Sequence, residues 1–139
     1  MENSSVLRYD DIRVGAVYEF TRIISAQDGK KFAELSGNFN PLHYDSEFGK
    51  KSQFKDIIVY GMLAGSLFST LIGMHCPGRD SLCLHQTLIY RYPIFYGDEV
   101  MVRGTVLSKS DSIRVITLKT EILREGNVVL DGEAKVQVL

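Results

Sequence analysis

The distribution of hydrophobic and polar residues along the chain predicts one strand followed by helices in the first half. Residues 16–25, AVYEFTRIIS, are rich in β-branched and aromatic side chains and predict a strand. A short amphipathic helix follows, with Ser25 as its N-cap and Gly37 at its end. Residues 57–78 contain no Asp, Glu, Lys or Arg, and we expect one long helix there that begins near Gly61 and is buried on nearly all sides.

The second half of the chain changes to the two-residue period of strands. Ile116, Leu118 and Ile122 fall on one face of their segment, whereas Lys119 and Glu121 fall on the other. Glycine and asparagine at 126–127 predict a tight hairpin turn. The predicted strands cover residues 81–92, 100–110, 113–125 and 128–139.

One strand, short helices, a long apolar helix and four further strands predict an α+β domain spanning residues 1–139. A helix that is apolar all round cannot lie on a flat sheet without leaving one side in water. We therefore expect a curved antiparallel sheet wrapped around a long central helix, with a second copy of the chain covering what remains, which makes a homodimer or a higher homo-oligomer.

Charge and composition exclude several classes of function. The chain has 16 basic and 17 acidic residues, a net charge of −1, and no basic run of the kind that binds nucleic acid. The apolar core from Met62 to Ile72 is too short to cross a bilayer. The two cysteines form no disulfide framework, and the N-terminus resembles no signal peptide, so we expect a cytoplasmic protein.

The turn at residues 36–45, SGNFNPLHYD, contains the strongest candidate for chemistry. Pro41 stiffens the turn, and Asn40 can bond its backbone, so the turn is built to orient His43. Histidine is the side-chain type whose unperturbed pKa lies near neutral pH, which suits proton transfer. The nearest polar helper, Asn38, is an amide and cannot accept a proton.

The same turn, with its surroundings, resembles the MaoC-like hydratases of the hotdog fold, which include the (R)-specific enoyl-CoA hydratases. The resemblance covers most of the chain. Residues 32–73, with SGNFNPLH followed by GML, are similar to the family's hydratase motif and central helix. PIFYGDEV at 93–100 is similar to the family's inter-strand turn, and GEAKVQVL at the C-terminus to its last strand.

The resemblance implies an (R)-specific hydration of enoyl thioesters, or the reverse dehydration of 3-hydroxyacyl thioesters. In that family an Asp and a His activate water, and a backbone N–H at the start of the central helix binds the thioester oxygen. The family's His corresponds to His43, its oxyanion amide to Gly61, and a serine that supports the carboxylate to Ser69. The acyl chain is expected to run along the central helix, past Ile72.

Two positions depart from the family pattern. Asn38 stands where the family has its catalytic Asp, and Tyr60 stands where a His usually precedes the helix glycine. We expect Asn38 to hold the water without taking its proton, and Tyr60 to line the substrate pocket. Loss of one general base costs about 10²–10⁴ in rate, so the activity is expected to be weak or altered.

Three explanations of Asn38 stay open at this level: an engineered inactivating change, an enzyme that works with His43 alone, or a protein that binds an acyl thioester without converting it. A thioesterase is a further alternative, since it shares the fold but needs a carboxylate. Within the motif that carboxylate would be Asp45, which we expect instead to cap the next segment.

No cofactor is implied beyond the substrate's own carrier, which is coenzyme A or an acyl carrier protein. The sequence has no phosphate-binding loop or dinucleotide fingerprint. The spacing of His75, Cys76, Cys83 and His85 fits no paired-ligand pattern, so we expect no metal site.

Overall fold

The computed structural model describes residues 3–139. Short 3-10 turns lie at Tyr9–Asp11 and Pro41–His43. The remaining elements, in chain order, are β1 (Val17–Ile23), α1 (Ala26–Ser36), α2 (Ser46–Lys51), α3 (Gly61–Gly65), α4 (Leu67–Thr70), a π-helical turn (Leu71–His75), β2 (Ser81–Gln86), β3 (Ile89–Tyr90), β4 (Glu99–Ser110), β5 (Val115–Arg124) and β6 (Asn127–Val138).

The local signals for the first helix are confirmed. Ser25 is the N-cap of α1, and its hydroxyl accepts a hydrogen bond from the N–H of Asp28 at 3.2 Å. The Asp28 carboxylate accepts the Ser25 N–H in return at 2.9 Å, which completes a capping box. Gly37 ends the helix with a positive φ of 75°, a conformation that favours glycine.

The strands form one antiparallel sheet in the order β1-β4-β5-β6-β2, with β3 also paired to β6. The Asn127 hairpin is confirmed, since β5 and β6 pair through Arg124 and Asn127 across a turn in which Glu125 and Gly126 have positive φ. Strands β1 and β2 each have one neighbour among the described residues, so the sheet is open at both sides.

The helices cover one face of this sheet. Phe68 and Leu71 pack into a buried cluster with side chains of β4, β5 and β6, and Ile72 packs into a neighbouring cluster with Ile116 and Leu118. The predicted inward face of β5 is confirmed, because Ile116, Leu118 and Ile122 are all fully buried. The expected antiparallel sheet with a central helix is therefore the observed architecture.

The central helix, which we define as residues 61–75, differs from the prediction in two ways. It is interrupted at Ser66, whose hydroxyl bonds the carbonyl of Leu63 at 2.6 Å, and it ends in a π-helical turn. It is also not buried on all sides, because Met62, Ser66 and Ser69 are exposed, Met62 by 63%. One sheet covers only one face of a helix, so the opposite face remains open in a single chain.

The predicted strand at 81–92 is divided into β2 and β3. The register of β2 against β6 shifts between Cys83 and His85, and Thr87 leaves the ladder. The carbonyl of Thr87 comes so close to Gly132 that a side chain there would overlap it. Among residues 3–139, no helix is both long enough and apolar enough to span a membrane.

The N-terminal segment is joined to the sheet by a lysine. Lys109 on β4 donates to the backbone carbonyls of Tyr9 and Ile12, each at 2.8 Å, and its ammonium lies 4.2 Å from the centre of the Tyr9 ring. The Tyr9 hydroxyl donates to Asp111 at 2.7 Å. These contacts hold Ile12, which is fully buried, against the second core cluster.

We expect Lys109→Met to lower the free energy of unfolding by about 1.5–3 kcal/mol, because it removes two hydrogen bonds from a charged donor. Lys50→Met is the matched control. Lys50 forms one ion pair with Glu47 at 2.9 Å and both side chains are exposed, so its loss should cost under about 1 kcal/mol. Denaturant unfolding of both variants measures the difference, and equal losses would contradict this role for Lys109.

Candidate active site

A chain of side-chain to backbone hydrogen bonds shapes the turn before His43. Ser36 Oγ accepts the N–H of Asn38 at 3.2 Å, and Asn38 Oδ1 accepts the N–H of Asn40 at 3.1 Å. Asn40 Oδ1 in turn accepts the N–H of Leu42 at 3.1 Å and caps the 3-10 turn that contains His43. The expected role of Asn40 in the loop backbone is confirmed.

His43 is held in one ring orientation. Its Nδ1 lies 2.8 Å from the carbonyl oxygen of Ile58, and the N–H of Ile58 donates to the carbonyl of Leu42 at 3.2 Å. A carbonyl oxygen can only accept, so Nδ1 carries a hydrogen, and in the neutral ring the lone pair is on Nε2. His43 is therefore arranged to use Nε2 as a base.

Tyr60 packs directly on the imidazole of His43. The two ring centroids are 4.1 Å apart and the planes differ by 27°. The Tyr60 hydroxyl donates to the backbone carbonyl of Asn38 at 2.6 Å, and its side chain is almost completely buried. Burial raises the pKa of Tyr60, which keeps the hydroxyl protonated as a donor. Tyr60 thus lies behind His43, not in the wall of the cavity described next.

A cavity of about 480 Å³ opens beside His43 and the start of the central helix. Gly61 lines it together with His43, so the structure brings these two predicted residues into one site. We refer to it as the His43 cavity. Its other walls are mainly apolar side chains and include Phe54, Ile58, Val59, Met62, Ala64, Ile94, Val129 and Leu130, with Tyr90, Arg91, Tyr92 and Pro93 completing the lining.

Tyr90 covers Gly61 within this cavity. A Cβ added to Gly61 would lie 2.7 Å from the Tyr90 ring, and the Tyr90 hydroxyl donates to the sulfur of Met62 at 3.2 Å. As the first helical residue, Gly61 has an N–H with no acceptor within the helix. Only glycine permits this close approach of Tyr90 while leaving the N–H beside the cavity.

Asn38, Ser69 and Ile72 do not line the His43 cavity. Asn38 is exposed on the turn, and its backbone carbonyl accepts the bond from Tyr60. Ser69 and Ile72 lie in a separate groove of about 370 Å³, the Ser69 groove, which runs between the central helix and strand β2. A single chain therefore brings His43 and Gly61 into one cavity, with Tyr60 packed behind His43, but leaves Asn38, Ser69 and Ile72 outside it.

The carboxylates near the motif are engaged elsewhere. Asp45 caps α2, accepting the N–H groups of Glu47 and Phe48 at 3.0 and 3.2 Å, as predicted. No Asp or Glu is among the residues that line the His43 cavity. Across residues 3–139 no group of three or more His, Cys, Asp and Glu side chains is arranged to hold a metal ion. The cavity offers a base and a free N–H, but no second acid.

The family model for the MaoC like domain matches residues 12–128. The chain belongs to the MaoC-like domain family. Among its relatives, the (R)-specific enoyl-CoA hydratase of Aeromonas caviae is 38% identical over 128 residues, covering 91% of this chain and 96% of that protein. The mitochondrial 3-hydroxyacyl-[acyl-carrier-protein] dehydratase of Arabidopsis thaliana is 36% identical over 94% of this chain and 80% of that protein.

Solved MaoC-like structures share the fold as well. The (R)-hydratase of A. caviae superposes with a TM-score of 0.89 at 37% identity, covering 92% of this chain and 98% of that one. An R-hydratase from Pseudomonas aeruginosa gives a TM-score of 0.92 at 34% identity over 97% of this chain and 87% of that one. The predicted hotdog fold is confirmed.

Sequence reasoning missed Tyr90, Met62 and Arg91, which line the His43 cavity of this MaoC-like domain. Arg91 forms a two-point pair with Asp131, at 2.7 and 3.2 Å. Met62 lies in the GML motif, but no motif marks Tyr90 or Arg91, since β3 has only two residues and its placement beside Gly61 depends on the break in the strand at Thr87.

We expect neutral His43 to carry its hydrogen on Nδ1. Nitrogen chemical shifts from long-range ¹H–¹⁵N spectra, recorded at a pH where the ring is neutral, distinguish the two tautomers. His85 is exposed and serves as the internal reference. A hydrogen on Nε2 of neutral His43 would contradict the bond to Ile58, because two acceptors would then face each other at 2.8 Å.

Proposed function

We propose that this chain is an (R)-specific hydratase of enoyl thioesters, or a dehydratase of 3-hydroxyacyl thioesters, with His43 as its acid and base. The observation that carries the proposal is the shared cavity of His43 and Gly61, with Nδ1 of His43 bound to a carbonyl. Relatives that are 32–38% identical over most of their length are named as enoyl-CoA hydratases and as acyl-carrier-protein dehydratases, which supports the same class.

In the hydration direction, His43 Nε2 takes a proton from water while the water oxygen bonds to C3 of the enoyl thioester. The electron pair of the C2–C3 double bond moves to form an enolate, whose oxygen accepts a hydrogen bond from the N–H of Gly61. The protonated His43 then returns that proton to C2. Dehydration runs the same steps in reverse, so one residue serves as base and acid in either direction.

Asn38 does not line the His43 cavity, and its proposed role of holding the reacting water rests on the family resemblance. Its Oδ1 accepts the N–H of Asn40, so its NH₂ group is the part available to a ligand. An NH₂ group donates to the water oxygen and cannot remove a proton, so the whole proton transfer falls on His43. This predicts turnover below that of an enzyme with a carboxylate at this position, by about 10²–10⁴.

Two alternatives remain, and one of them, the thioesterase, fits the cavity less well. A thioesterase needs a carboxylate to attack or to activate water, and the nearest one in the motif, Asp45, has a capping role. A protein that binds acyl thioesters without turnover has the same geometry and differs only in rate. Two expectations stay predictions: that no cofactor is needed beyond the coenzyme A or carrier protein of the substrate, and that the protein is cytoplasmic.

Incubation with crotonyl-CoA tests the activity. We expect slow loss of the conjugated thioester without release of free thiol, a rate about 10²–10⁴-fold higher in Asn38→Asp, and no hydration in His43→Ala. His75→Ala is the matched control, since that histidine stacks on Phe20 and does not line the cavity. Thiol release would favour the thioesterase, and turnover unaffected by His43→Ala would refute the mechanism.

We also propose that the protein works as a homodimer in which β2 of one copy meets β2 of the other. The outer edge of β2 is unpaired among residues 3–139, and its Leu82 and Leu84 are about half exposed. An unpaired apolar edge favours addition of another strand. A twofold axis at this edge would place the Ser69 groove of each copy at the contact, with the exposed Ser69 facing the partner.

Mixed dimers test whether Ser69 acts across the contact. A heterodimer of one His43→Ala copy and one Ser69→Val copy would keep one intact site if His43 and Ser69 come from different chains, and should show about half the wild-type rate. Each parent homodimer is expected to be slower, Ser69→Val by about tenfold for the lost hydrogen bond. A heterodimer no faster than the average of its parents would place both residues in the same chain's site.

A further inference from the structure

Tyr60 connects the two side chains proposed to carry the chemistry, although it does not line the His43 cavity. Its hydroxyl reaches the carbonyl of Asn38 at 2.6 Å, and its ring stacks on His43 at 4.1 Å. The ring of Phe32 from α1 also packs against Tyr60, with 5.0 Å between the two ring centroids. Tyr60 is only 2% exposed, so its ring is fixed between helix α1 and the catalytic turn.

We propose that Tyr60 is a positioning residue for the hydration reaction, which fixes Asn38 through its hydroxyl and His43 through its ring. This inference rests on the proposed function. The residue immediately precedes Gly61, so the same backbone segment also sets the N–H that receives the enolate oxygen. Tyr60 therefore contacts Asn38 and His43 and directly precedes Gly61, so it adjoins all three groups of the proposed mechanism.

The hydroxyl is the part that sets Asn38. The end of the turn is joined to Ile58 through Leu42 and His43, but the part around Asn38 is otherwise held by bonds between near neighbours, from Ser36 to Asn38 and from Asn38 to Asn40. These bonds shape the turn but do not attach it to the rest of the domain. The bond from Tyr60 spans 22 residues and is the one that joins the carbonyl of Asn38 to the start of the central helix.

Tyr96 provides a matched comparison for this role. Its hydroxyl is also buried, and it has no hydrogen-bond partner among the described residues. Burial raises the pKa of Tyr96 to about 12, so it too remains protonated at neutral pH. A Tyr→Phe change at either position removes one buried hydroxyl, but only the change at Tyr60 releases a bond to the catalytic turn.

The experiment compares Tyr60→Phe with Tyr96→Phe in the crotonyl-CoA assay. We expect Tyr60→Phe to lower kcat about fivefold to tenfold, the loss of one hydrogen bond, with KM changed by less than about twofold. Tyr96→Phe should leave both constants within about twofold of the wild type, since its hydroxyl has no bond to lose. In an Asn38→Ala background, Tyr60→Phe should have less than about a twofold effect, because the backbone carbonyl that accepts the bond remains but the side chain that it positions is gone.

A second measurement does not depend on activity. In ¹H–¹⁵N spectra, Tyr60→Phe should shift the backbone amides of the turn at 36–43 and the side-chain NH₂ of Asn38, whereas Tyr96→Phe should leave them in place. Equal kinetic losses in the two variants, additive losses in the double mutant, or unchanged turn resonances would each overturn the proposal. If the wild-type protein has no turnover, the proposed function fails, and the spectra alone decide the positioning role.

Discussion

The hydrogen bond from His43 Nδ1 to the Ile58 carbonyl is the constraint on which the site depends. It leaves Nε2 as the basic nitrogen of the neutral ring, on a residue that lines the cavity. The acceptor is itself fixed, because Val59 donates to the carbonyl of Ile94 at 2.7 Å and Ile58 bridges to Phe95. The imidazole is thus attached through two backbone segments to the loop that precedes β4.

Asn38 has an amide where the family has a carboxylate. This replaces one hydrogen-bond acceptor with a donor and leaves the bonds of His43 unchanged. Asn38 Oδ1 fills the same backbone contact that a carboxylate oxygen could fill, since both accept the N–H of Asn40. The second oxygen of a carboxylate would accept from water, whereas the NH₂ of Asn38 donates. The backbone bond to Asn40 is therefore available to either residue, and in the proposed mechanism the difference is confined to the group that faces the water.

The parts of this structure that could be predicted from sequence depend on neighbours along the chain. The Ser25 cap, the Gly37 stop, the Asn40 turn and the alternation along β5 require only a few adjacent residues, and all are observed. The role of Tyr60 could not be predicted, because its stacking on His43 and its bond to Asn38 depend on how the turn folds back on the central helix. The resemblance to a family located the site, while the distances within it are a property of the tertiary packing.

Ser69 and Ile72, which lie outside the His43 cavity in a single chain, both line the groove beside the free edge of β2. Ser69 lies on the exposed face of the central helix, and the groove it shares with Ile72 opens beside β2. A partner at that edge would bury the apolar side chains, pair the free strand and close the groove in one step. Folding stability and assembly of the site would then draw on the same contacts, so both would rise together with protein concentration. In the proposed dimer, the face of the central helix that one chain leaves uncovered would belong to the interface.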